Sequence, residues 1–200
     1  MAEPHLKRGR LEAFSDGVIA IIVTIMVLEL KIPETALEGD LWTHLVLPLA
    51  PKLGSYAMSF LVVAIMWVNH HALVDALRQV DRAVLWWNNL LLFSMSLIPL
   101  VTGFWGEHPL TPIAVAAYGA VLAFNATVFT LLRGHLMARE TENTALKALH
   151  RRVFAKSALG ACLYASSAPL AFVSPWISIA IFVAIAAAFF LPDFGGEAED

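Results

Sequence analysis

Six stretches of this chain are apolar for long enough to cross a lipid bilayer: residues 14–30, 53–74, 83–105, 112–132, 153–173 and 175–191. A hydrocarbon core of about 30 Å takes roughly 20 residues at about 1.5 Å each in a helix. Backbone groups in lipid must bond to one another, so each stretch is expected as a helix. Composition agrees, with 59% hydrophobic and 14% charged residues, where soluble domains carry about a quarter charged. The expectation is an all-α polytopic membrane protein, with residues 1–192 as one six-span domain and an acidic tail over 193–200. Links are short, with Arg78 to Arg82 joining spans two and three and Ser174 nearly alone between five and six. Neighbours joined so tightly run antiparallel.

Orientation follows from basic residues in short loops. Lys7, Arg8, Arg10, Arg78, Arg82, Arg133, Arg139, Lys147, Arg151, Arg152 and Lys156 fall on one side, and only Lys31 and Lys52 on the other. Eleven against two places both termini in the cytoplasm. The first span is not expected to be cleaved, because Glu12 and Asp16 lie at its start and no small-residue site follows Leu30. Trp42, Trp67, Trp86, Trp87, Trp105 and Trp176 lie mostly near span ends, where indole rings anchor at the interface. At a net charge of −3 no basic balance suggests nucleic acid, and the single Cys162 offers neither a disulfide nor a metal cluster.

Polar residues inside the spans need a reason, since ionisable groups in lipid are costly. Ser15 and Asp16 open the first span, Asn69, His70 and His71 close the second before Asp75, and Asn88 and Asn89 follow Asp81 in the third. With alternating directions, all fall within about 10 Å of the cytoplasmic ends at about 1.5 Å per residue. Three helices therefore share one polar layer. It either knits the helices together or takes part in moving ions, and the two are compatible. A metal site is a third option, since His71 and Asp75 share a helix face, but the sequence shows no clear third ligand. No metal, haem or other cofactor is expected, and no nucleophile–base pair or phosphate loop is present.

At about 100° per residue the first span carries a stripe of Ile21, Thr24, Ile25 and Leu28, prolonged toward the cytoplasm by Gly17 and Phe14. Asp16 and Glu12 point elsewhere. Periodicity alone leaves this stripe to lipid or a neighbouring helix. Any path along it would be narrowed by branched aliphatic side chains.

The run Arg10-Leu11-Glu12-Ala13-Phe14-Ser15-Asp16-Gly17 resembles the RxxxFSDG signature of the transmembrane protein 175 family of potassium channels. The likeness continues through TIMVLELKIP, through Ser59, Phe60, Trp67, His70 and His71, and from Asp81 to Leu90. It covers about the first half of the chain in recognisable motifs; the second half fits in span count and hydropathy. The resemblance implies a homotetramer whose central pore is lined by the first helix of each subunit. It implies a constriction at Ile21, Ile25 and Leu28, with Thr24 at a position linked to selectivity. It further implies that Arg10, Phe14, Ser15, Asp16 and Gly17 lock the first helix against spans two and three, with Asn69, His70, His71, Asn88 and Asn89 as partners.

The reading is a passive cation channel of the plasma membrane that favours potassium over sodium, with monovalent cations, the bilayer and its own copies as partners. It is not an enzyme. Two rivals remain: a proton- or cation-coupled transporter relaying through Asp16 and His70/His71, and a structural or sensory membrane protein without transport. Paired Gly- or Pro-broken helices, the mark of many transporters, are absent from corresponding spans.

Overall fold

The computed structural model describes residues 8–32, 39–75, 77, 80–138 and 144–190, with side chains apart from those of 144–153 and 190. Among these residues the chain is helical throughout, without a strand. Helix α1 is Arg8–Ile25, tightening into a 3-10 turn at Met26–Glu29. Helix α2 is Leu47–Asp75, entered through a π-helical turn at Trp42–Val46. Helices α3, Arg82–Ser96, and α4, Ile98–Glu107, follow each other with one break at Leu97. Helix α5 is Pro112–Met137, α6 is Thr144–Leu170 and α7 is Pro175–Phe190.

The helices are bounded differently from the apolar stretches, for identifiable reasons. Helix α1 begins at Arg8 rather than residue 14, because charged residues outside the bilayer still continue a helix. Helix α2 starts well before residue 53 and runs through Pro51, which the sequence reading left in a loop. Pro51 removes only the bond to the Leu47 carbonyl, one turn from the start of the regular helix. The third stretch is interrupted: Pro99 has no N–H and crowds the preceding turn, which breaks the run between α3 and α4 at Leu97. Among the described residues, four runs, Arg8–Glu29, Trp42–Asp75, Arg82–Glu107 and Pro112–Met137, are long and apolar enough to cross a membrane, while α7 is shorter. The tail over 193–200, Lys7, Arg78 and Arg139 lie outside the described residues.

The core is aromatic at the centre. Tyr118 of α5 and Phe182 of α7 are fully buried, 5.1 Å apart at their ring centroids, with Trp105 of α4 at 4.7 and 5.8 Å from them. Edge-to-face geometry is the favoured one for such rings. The hydroxyls of Ser59, Thr102 and Tyr118 meet beside this cluster, with Ser59 Oγ 2.7 Å from Thr102 Oγ1 and 3.0 Å from the Tyr118 oxygen. That contact joins α2, α4 and α5 where no water is at hand. Helices α2 and α4 approach closely because residue 106 is glycine: a Cβ there would lie 2.6 Å from Ser55 Oγ and 3.1 Å from the Lys52 Cα.

Candidate functional site

Helix α1 has two distinct faces. Leu11, Ser15, Ile19, Ile22 and Met26 are buried and recur every three or four residues, which packs that side against α2, α3 and α4. The opposite side is open. Arg10, Phe14, Gly17, Ile21, Thr24 and Leu28 recur at the same spacing and are all exposed in the subunit, with Ile21 at 64% and Leu28 at 69%. Ile25, at 46%, flanks them. Apart from Arg10 near the N-terminus of α1, this face bears no charge. The Thr24 hydroxyl is 2.9 Å from the Ala20 carbonyl, to which it donates. Its oxygen therefore keeps lone pairs for whatever faces the helix.

The N-terminal halves of α1 and α3 and the C-terminal half of α2 are joined by a buried chain of hydrogen bonds. His70 Nε2–H donates to Asn88 Oδ1 at 2.8 Å, and Asn88 Nδ2 donates to Ser15 Oγ at 3.0 Å. Ser15 in turn donates to the Leu11 carbonyl at 2.9 Å. Asn88 can only accept through Oδ1, so the proton on His70 must sit on Nε2. Ser15 is fully buried, and His70 and Asn88 are each 1% exposed. Every member has a partner, which is what lets a polar group persist at such a place.

Asp16 lies beside this chain rather than in it. It is half-buried, and its Oδ1 accepts from Trp67 Nε1–H at 2.9 Å. Farther toward the chain's N-terminus, His71 Nδ1 faces Glu12 at 3.4 Å and Nε2 faces Asp75 at 3.3 Å. The Arg8 guanidinium pairs with the Asp75 carboxylate and donates to its backbone carbonyl at 2.9 Å.

The structure thus divides the residues expected in one polar layer. Ser15, His70 and Asn88 come together; Asp16 and His71 form neighbouring contacts. Asn69 does not join them, since its Nδ2 donates to the Ile65 carbonyl at 2.8 Å on another side of α2. Asn89 is exposed, one residue and about 100° from Asn88. Within the signature, Arg10, Phe14 and Gly17 are exposed and do not lock α1 inside its own subunit; helical spacing puts them on the open stripe. Trp67 as the partner of Asp16 and Arg8 as the partner of Asp75 were missed. An indole near a span end reads as an interfacial anchor, and nothing in the spacing distinguishes Arg8 from Arg10. Glu29 is turned toward α4, where a Cβ on Gly103 would lie 2.8 Å from its Oε2.

The profile of the family described as endosomal/lysosomal potassium channel TMEM175 matches residues 10–99, which hold the open stripe and the polar chain. A potassium channel of Chryseobacterium sp. is 39% identical over 189 residues, covering 94% of this chain and 95% of the relative. The chain belongs to the TMEM175 family. A homologue, from Chamaesiphon minutus, of the lysosomal potassium-selective channel TMEM175 has a similar structure, with a TM-score of 0.81 at 31% identity. That likeness covers 91% of this chain and 95% of the other. The human TMEM175, described as an endosomal/lysosomal proton channel, is 28% identical over 149 residues, which amount to 72% of this chain and 30% of the human one. This is a family of ion channels, not of enzymes.

Proposed function

We propose that this TMEM175-family chain forms a passive cation channel, a homotetramer whose pore is lined by the α1 stripe of each subunit. One observation carries the reading: Ile21, Thr24, Ile25 and Leu28 are exposed on a helix whose other side is packed. Turned toward a fourfold axis, Ile21, Ile25 and Leu28 form successive apolar rings, with the Thr24 oxygens between them. Potassium holds its water less tightly than sodium, so partial dehydration at a narrow aliphatic ring favours potassium, and dewetting of the same ring supplies a gate. The channel works in the plasma membrane with both termini in the cytoplasm, in keeping with the basic residues at the inner ends. No cofactor is needed for this. Purified protein in a planar bilayer, with potassium on one side and sodium on the other, tests it: the reversal potential should lie on the potassium side. A reversal at zero, or no current, would overturn the reading.

A proton-coupled reading draws on the description of the human relative and on Asp16 and His70. In this chain both groups are held by neighbours, Trp67 and Asn88, as a lock would be. Uphill accumulation of a cation in proteoliposomes driven by a proton gradient would favour that second reading over the channel.

A further inference from the structure

The sequence offers His71 and Asp75 as two ligands on one helix face, and the fold brings a third from another helix. Ligand atoms of Glu12 on α1 and of His71 and Asp75 on α2 all lie within 4.8 Å of one another. His71 stands between the two carboxylates, one ring nitrogen toward each. Arg8 occupies Oδ1 of Asp75 and also its backbone carbonyl, while Oδ2 is the oxygen that faces His71. A partner outside the ligand set thus orients Asp75 and leaves one oxygen for an ion, as groups behind metal ligands commonly do.

We propose that Glu12, His71 and Asp75 form a binding site for a divalent transition-metal ion of the zinc type, which ties the inner end of α1 to α2. One imidazole and two carboxylates, with water in the fourth place, suit zinc at about 2.0–2.2 Å. Imidazole disfavours calcium and magnesium, which seek six or more oxygens. The three side chains are between 27% and 47% exposed, so an ion can enter and keep a water. The competing arrangement is a bare ion network in which a proton on His71 is all that joins the carboxylates. The site does not depend on the pore assignment, because binding can be read without current.

The test uses full-length protein in detergent, stripped with a chelator, with zinc counted by equilibrium dialysis and cobalt followed by its visible absorption. One zinc per chain at micromolar free metal is expected, together with a tetrahedral cobalt spectrum. His71→Ala and Glu12→Gln should each weaken binding at least tenfold, whereas His44→Ala and His108→Ala, at the other end of the helices, should not. Zinc should raise the unfolding temperature of the wild type and not of His71→Ala, since a ligand of the folded state stabilises by mass action. Absent binding in the wild type, or binding unaltered by His71→Ala and Glu12→Gln, overturns the site.

Discussion

Asn88→Leu removes the residue through which α1, α2 and α3 share hydrogen bonds and keeps the branched outline of the side chain, with methyl groups in place of the amide. In the native chain Asn88 accepts from His70 at 2.8 Å and donates to Ser15 at 3.0 Å, and all three are essentially buried. Ser15 keeps its bond to the Leu11 carbonyl, so its loss is small. His70 is left with an N–H that no water reaches, which costs about 1–3 kcal/mol. The interhelical bonds themselves contribute about 0.6 to 1.7 kcal/mol in a membrane. A destabilisation of about 2–4 kcal/mol is therefore expected, measured by unfolding the purified protein in mixed micelles and following tryptophan fluorescence. His70→Leu strands Asn88 in the same way and should cost a similar amount. The double variant leaves neither group stranded, so it should be less destabilised than the sum by about 1 kcal/mol or more. Costs that add to within about 0.5 kcal/mol would show the two sites to be independent and refute the chain of bonds.

Asp16→Ala is expected to weaken the subunit or its assembly more than it changes ion preference, because the carboxylate holds Trp67 at 2.9 Å; intact assembly with inverted selectivity would make Asp16 a permeation ligand instead. Cysteines at Glu38 and Glu142, both outside the described residues, with the exposed Cys162 removed, should label from outside and inside respectively; labelling of both from one side would overturn the orientation. Ile21→Asn should raise conductance and reduce the preference for potassium, since an amide eases hydration of the ring. Val23→Asn, on the partly packed side of α1, should disturb folding without raising flux, and the reverse pattern in bilayer recordings would mean that the pore face has been misassigned.

Hydropathy was enough to find the helical segments, because a bilayer permits few alternatives for a long apolar run. It could not mark the break at Leu97, since a proline inside such a run interrupts the helix without changing apolarity. The faces of α1 were half legible. A 3.6-residue period picked out Ile21, Thr24, Ile25 and Leu28, and these are the residues the folded subunit leaves uncovered. The inward side was harder, because Asp16 is the ionisable group at the start of the span and draws the reading to itself. The fold buries Ser15 instead. A serine hydroxyl can donate to the carbonyl one turn back and accept from Asn88, so it enters the helix interface fully satisfied. A carboxylate in that place would need charge compensation within the membrane, and half-burial against an indole N–H avoids most of that cost. The same spacing explains the division of the signature. Ser15 turns inward, Asp16 lies at the flank, and Arg10, Phe14 and Gly17 continue the open stripe, so one short motif supplies both a buried contact and part of the open face. A substitution at Phe14 should therefore act on assembly or permeation, while one at Ser15 should act first on the stability of the subunit.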